Sequence, residues 1–265
     1  MLRRSLSKTC RRSLSTTVDK SEVSKFSAVG DDWWDKSSKS GTGPLHAMNP
    51  VRVGYIRKAL ATTRGTTGLP AVDQIRGMKV LDVGCGGGLL AEALSRLGAE
   101  VTAIDPSSEN IAIAKAHSSH DKATASIQYE QSTIEEVAAS GRRFDAICAL
   151  EVVEHVQEVE LFLSSCAACL GNKGNFFLST INRTPASYAM AIVGAEKLLR
   201  ILPEGTHDWN KFPTPEEMRT TLAHCSLYVE DVSGLLYQPW RSVQWEVSAD
   251  NTEVNYILHA IKAGP

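Results

Sequence analysis

Residues 79–90, KVLDVGCGGGLL, constrain this chain most: an apolar run, a glycine cluster and the start of a helical pattern follow one another without a spacer. Val80, Leu81 and Val83 read as a strand buried on both faces, the pattern of a parallel sheet. Gly84, Gly86, Gly87 and Gly88 then allow a tight bend whose backbone can approach a ligand with no Cβ in between. The spacing departs from G-x-G-x-x-G, because Leu89 stands where the third glycine of a pyrophosphate cradle belongs. A dinucleotide is therefore disfavoured, and a dehydrogenase with it.

A second strand pattern over residues 100–104 runs into Asp105, 21 positions beyond Gly84. An acid at that place accepts hydrogen bonds from ribose hydroxyls. A glycine turn and a ribose acid without a diphosphate site fit adenosine carried on another group, and S-adenosylmethionine is the candidate.

Beyond this, strand patterns at 127–130, 144–150 and 176–181 alternate with helical ones at 108–118 and 158–170. Crossovers of this length predict the α/β class, with a doubly wound, mostly parallel sheet covered by helices on both faces. Ligands then sit at the carboxyl ends of the strands. Two more strand patterns, 228–232 and 255–261, bring the expected number of strands to seven and should pair as a hairpin at the sheet edge. Thr214, Pro215 and Glu217 carry the cap, first-turn proline and capping-box acid of a helix start. Upstream, a helix is predicted to open at Pro50 and run to Leu60, with Arg52 near its first turn. Trp33 and Trp34 read as an aromatic lid or as the pins of this arm. The expected organisation is a leader at 1–18, a helical arm and linker at 19–74, and the main domain at 75–265 with an insertion at 183–213.

Charge is unevenly spread. Residues 1–18 hold Arg3, Arg4, Lys8, Arg11 and Arg12 with no acid, which leaves 23 basic against 30 acidic residues for the remainder. A mildly acidic body excludes general nucleic-acid binding, which needs a basic face. The arginine- and serine-rich start, with Leu2, Leu6 and Leu14 among the charges, has the composition of a mitochondrial or plastid transit peptide, and its dominance by arginine favours the mitochondrion. Six scattered cysteines form no disulfide framework and suit a reducing compartment. Cys166 and Cys169 make a lone C-x-x-C inside an apolar helical pattern, which reads as buried packing.

Taken together, LDVGCGGGLLAE, EVVEHV, FSAVGDDWWD, PLHAMNPVRVGYI, STINRT, VGAEKLLRILPEGTHDWNKF and VNYILH resemble the ubiquinone-biosynthesis O-methyltransferases, a family of class I S-adenosylmethionine-dependent methyltransferases. The resemblance implies cofactor contacts at Arg52, Gly84, Asp105 and Leu150, and methylation of polyprenyl catechols of the dihydroxy-polyprenylbenzoate and demethylubiquinol types. It also implies a peripheral position on the matrix side of the mitochondrial inner membrane, within a multi-subunit assembly for ubiquinone biosynthesis.

Glu151, Glu154 and His155 are spaced i, i+3, i+4 and share one face if the segment is helical. Two carboxylates and an imidazole suit Mg²⁺, an assignment that the resemblance supports. His155 is equally a candidate catalytic base. Residues 187–202, SYAMAIVGAEKLLRIL, have the apolar face and flanking bases of a membrane-surface helix, and equally those of a lid packed on the domain. Two other functions stay open: methylation of a different small acceptor, and a catalytically silent binding subunit.

Overall fold

Strand β1 (Lys79–Val83) is buried along all but its first residue because it has a hydrogen-bonded neighbour on each side and helices over both faces. The computed structural model describes residues 16–36, 42–190, 208–238, 240–241 and 244–264. Around β1 run β2 (Glu100–Asp105), β3 (Gln128–Gln131), β4 (Phe144–Leu150), β5 (Leu170–Ile181), β6 (Leu227–Tyr237), β7 (Trp245–Ser248) and β8 (Asn255–Lys262). They form one eight-stranded sheet in the order β3-β2-β1-β4-β5-β8-β6-β7. The first five pair in parallel, and β8, β6 and β7 add antiparallel.

The alternation of each central strand divides the core. Leu81, Val83, Ile147 and Ala149 face α5 (Ile134–Ala139), α6 (Val159–Cys169) and α8 (Pro215–His224). Val80, Ala146 and Cys148 face α2 (Thr42–Arg64), α3 (Leu89–Arg96) and α4 (Ser108–Ser118) on the other side. Cys166 and Cys169 are both buried in the first of these layers, and burial pushes their thiols up, which suits packing and not thiolate chemistry. The capping box at Thr214 and Glu217 opens α8, with Pro215 in its first turn.

Three expectations are corrected here. The strands number eight, because Trp245–Ser248 forms a short edge strand on β6. The pair β6 and β8 does form, but β8 lies inside the sheet between β5 and β6. Helix α2 begins at Thr42, eight residues ahead of Pro50, which sits in its interior. A proline removes one helical N–H without forbidding the turn before it when packing holds that turn, and here Met48 is buried against Leu235, Trp245 and Ile257.

The arm is packed on the domain. Helix α1 (Lys20–Ser27) is capped by Asp19, whose carboxylate accepts from the Ser21 amide. Ahead of it, Val18 bridges Val156 and the buried Thr17 bonds Glu135 through both its amide and its hydroxyl. No helix among the described residues is long and apolar enough to cross a membrane. Positions 191–207, which hold most of the helix proposed for the membrane surface, lie outside the described residues; a helical turn, α7 (Pro185–Ser187), precedes them.

Candidate active site

The turn after β1 is pinned to the end of β2. Gly84 and Cys85 both donate their amides to the Ile104 carbonyl, at 2.9 and 3.0 Å. The Gly86 amide donates to Asp105 Oδ2 at 2.9 Å. Gly84 has a φ of +70°, and a Cβ on it would lie 2.7 Å from Val152, so only glycine fits between the two loops. Asp105 in turn accepts from the Ser107 amide and from Asn110 Nδ2 on its other oxygen. Burial raises its acid, and the amides of Ser107 and Gly86 oppose that shift. A carboxylate has about four acceptor positions, so with three donors in place Asp105 retains capacity for about one ligand hydroxyl.

Helix α2 carries Arg52 into the same space. Met48, Arg52, Ile56 and Leu60 form its buried stripe at four-residue intervals, so a guanidinium occupies a core position. Arg52 Nη1 lies 3.8 Å from Glu151 Oε1, and Nε has no partner among the described residues. Burial pulls its pKa down, while Glu151 and Asp82 hold it up. Asp82, inside β1, is buried, and its Oδ2 is also unpartnered among the described residues. Burial pushes its acid up to about 7. A cation with an unpartnered Nε beside an acid with an unpartnered Oδ2 is the complement of a ligand that carries both charges.

Across the cavity, Leu150 closes β4 and Glu151 follows in the left-handed region at φ +56°, an uncommon conformation for a residue with a side chain. The Glu151 amide donates to the Ser179 carbonyl, and Ser179 Oγ donates back to Glu151 Oε1 at 2.5 Å. This strain breaks the expected helical face. Only Val153–His155 forms a 3-10 turn, and the three polar side chains point to different partners. Glu154 is buried with Oε2 unpartnered among the described residues, and burial followed by the Glu151 carboxylate pushes its acid far up. His155 Nδ1 lies 2.9 Å from Glu22 Oε2 of the arm, with the Phe26 ring edge-on at 4.9 Å. Among the described residues no three His, Cys, Asp or Glu side chains converge as a metal-ion site.

Arg52, Gly84, Asp105, Leu150, Glu151, Glu154 and His155 nevertheless line one cavity of about 1240 Å³. Sequence reasoning did not single out Asp82, Glu22 or Asn110, which line it as well. An acid within the apolar run VLDV is a signal that could have found Asp82. Nothing local marks Glu22, whose role comes from the arm folding back.

A methyltransferase-domain family model matches residues 55–232. The ubiquinone biosynthesis O-methyltransferase of Azorhizobium caulinodans is 44% identical over 94% of this chain and 95% of its own length. The chain belongs to the ubiquinone biosynthesis O-methyltransferase family. The mitochondrial enzyme of that name from Arabidopsis thaliana is 43% identical over 94% of this chain and 76% of its own. Family membership agrees with the glycine turn and the acid at the end of β2. The fold is shared with magnesium protoporphyrin IX methyltransferase from Synechocystis PCC 6803, at a TM-score of 0.61 and 18% identity, covering 92% of this chain and all of that one.

Proposed function

We propose that this O-methyltransferase uses S-adenosylmethionine to methylate a hydroxyl of polyprenyl catechols in ubiquinone biosynthesis. The cofactor, when bound, supplies an electrophilic methyl group on a sulfonium. The observation that carries the reading is the convergence of Arg52, Gly84, Asp105 and His155 on one cavity, in a chain of this family. Arg52 offers its unpartnered Nε to the methionine carboxylate, and Asp82 stands ready for the ammonium. Asp105 accepts from the ribose, Gly84 admits the backbone-close part of the ligand, and Leu150 gives an apolar wall.

A phenolic hydroxyl is mostly protonated at neutral pH, so a proton has to leave as the methyl arrives. His155 takes it, with Glu22 holding Nδ1 so that transfer runs through Nε2. The in-line geometry is supplied by positioning, which is the main contribution a protein makes to such a displacement. His155→Gln should therefore lose most turnover with a prenylated catechol while keeping its cofactor affinity by calorimetry. Wild-type turnover in that variant would remove His155 from the chemistry.

The carboxylate pair supports a second reading for the same site. Glu154 is pushed up by burial and by Glu151, and its Oε2 is unpartnered among the described residues. A bound Mg²⁺ would offset both, and would polarise an acceptor oxygen as a Lewis acid. With His155 turned to Glu22, the three donors do not fit one ion as they stand, so no step here runs through it. Magnesium titration of wild type against Glu154→Gln decides whether the pair binds an ion.

We place the protein in the mitochondrion, peripheral on the matrix side of the inner membrane and within an assembly of quinone-biosynthesis proteins. The basic, acid-free start and the mitochondrial relatives support the compartment. Import of a tagged full-length chain, followed by carbonate extraction and native electrophoresis, tests compartment, attachment and assembly in turn.

A further inference from the structure

Trp33 is the arm residue that the proposed chemistry leaves unused. It lies in the 3-10 turn Gly30–Trp34 with only 6% of its surface exposed, and it lines the cavity. A buried indole N–H needs an acceptor, and Trp34 and Trp209 meet that need with the backbone carbonyls of Gly87 and Thr184. Trp33 spends its donor on a side chain instead, Asn110 Oδ1 at 3.0 Å. Asn110 is 1% exposed, stands in the first turn of α4, and donates from Nδ2 to Asp105 Oδ1 at 3.3 Å.

The far end of this wire fixes its direction. An indole nitrogen can only donate, whereas a carboxamide presents an acceptor on one side and donors on the other. With Trp33 donating, the Asn110 oxygen has to face the arm and its NH2 has to face the acid. Turned over, the amide would set N–H against N–H at Trp33 and oxygen against oxygen at Asp105, leaving buried groups unsatisfied. The Ser107 amide shares Oδ1 at 2.9 Å, so that oxygen is filled and the open acceptor position falls on Oδ2, beside the Gly86 amide. A second arm contact steadies the same turn: Ser27 Oγ donates at 2.8 Å to Ser107 Oγ, which caps α4 by accepting from the Asn110 amide. Burial raises the acid of Asp105, and the amides of Ser107 and Gly86 and the Asn110 side chain oppose that shift.

We propose that Trp33 is a positioning residue for the cofactor, acting through Asn110 to hold the Asp105 carboxylate in the orientation that accepts a ribose hydroxyl. The inference rests on the function proposed above, which gives Asp105 the ribose. It assigns the first tryptophan of the arm a task besides packing. The acid becomes a fixed acceptor, so less has to be ordered when the ligand arrives.

The test measures S-adenosylhomocysteine, the demethylated cofactor, and its 2′-deoxy and 3′-deoxy forms by calorimetry on the full chain. Wild type should bind at least one deoxy form more weakly by on the order of ten- to a hundredfold, because a hydrogen bond to a charged group is lost. In Trp33→Phe, which keeps a ring and removes the donor, that ratio should shrink by roughly three- to tenfold, the worth of one neutral hydrogen bond. Asn110→Ala should shrink it likewise, and either variant decides the matter if the other does not fold. In both, KM for S-adenosylmethionine should rise while kcat at saturating cofactor stays near wild type. A role in packing alone would weaken all three ligands equally, so a wild-type ratio in the variants overturns the proposal whatever their melting temperatures. A wild type indifferent to both hydroxyls would take Asp105 off the ribose, and the proposal with it. Failure of wild type to bind S-adenosylhomocysteine at all would instead sink the proposed function.

Discussion

Trp33 and Gly86 leave no room between them: a Cβ built on Gly86 would lie 2.3 Å from the Trp33 ring. The same indole donates from Nε1 to Asn110 Oδ1 at 3.0 Å, and Asn110 Nδ2 donates to Asp105 Oδ1 at 3.3 Å. Asp105 Oδ2 then accepts from the Gly86 amide, which closes a circuit from the arm through the proposed ribose acid and back to the glycine turn. The arm is thus part of the cavity's construction, and Trp34 reinforces it by donating to the Gly87 carbonyl and stacking on His117.

Gly86→Ala tests this circuit. At a φ of +52° an alanine costs about 1–2 kcal/mol before any clash, and the Trp33 ring must then move as well. A fall in melting temperature is expected at roughly 2–4 °C per kcal/mol for a domain of this size, with a red-shifted tryptophan emission. An unchanged melting temperature and emission would mean that the contact is not made in solution.

Much of this was legible in advance, for a physical reason that also explains the gaps. Buried parallel strands are predominantly apolar, so 79–83 and 144–150 stand out in sequence despite Asp82 and Asp145. Trp245–Ser248 is too short and too polar to do so, and only its pairing with β6 makes it a strand. The Gly84 to Asp105 spacing places both residues at adjacent strand ends because β1 and β2 pair in register. The i, i+3, i+4 spacing of Glu151, Glu154 and His155 misled, because Glu151 continues the bonding of the sheet edge to Ser179 instead of starting a helix. Periodicity presumes a conformation, and a residue at positive φ cancels it.

Arg52→Lys and Asp105→Ala should weaken S-adenosylmethionine separately. A hydrogen bond to a charged group contributes about 1.5–3 kcal/mol, and each 1.4 kcal/mol is about tenfold in Kd. Losses on the order of ten- to a hundredfold are therefore expected by calorimetry. Lysine keeps the charge and loses the planar fork, so its loss should be at the lower end. Affinity within twofold of wild type in either variant would remove that residue from the cofactor site.

Asp82 gives a pH dependence of known sign. Burial pushes its acid up to about 7 in the folded chain, against about 4 when unfolded. Between those values the folded form holds a proton that the unfolded chain has released. Its contribution to stability is therefore present in full below about pH 4 and is lost as the pH rises towards 7. Relative to wild type, Asp82→Asn should gain stability across that window by up to about 1.4 kcal/mol per pH unit. Denaturation midpoints of the two proteins at pH 5, 6 and 7 measure it, and parallel curves would contradict the raised acid.

The start of the folded unit can be found by truncation. Thr17 donates to Glu135 Oε1 through its amide at 3.3 Å and its hydroxyl at 2.6 Å. Its carbonyl accepts from the Gln157 amide at 2.9 Å, two residues past His155. Glu135 is buried, and its Oε2 is unpartnered among the described residues, so Thr17 supplies the bonds that keep the acid tolerable. A leader cleaved at 18 would cut these contacts, and one cleaved ahead of Thr16 would spare them. Starting the chain at residue 16 should leave stability unchanged. Starting it at residue 20 leaves a buried acid without donors, at a cost of about 1–3 kcal/mol, and frees the segment that carries His155. The second truncation should therefore lose both melting temperature and kcat, with KM for the cofactor less affected because Arg52, Gly84 and Asp105 lie on other elements. Equal melting temperatures for the two would show that the strap at Thr17 and Val18 contributes nothing to the fold.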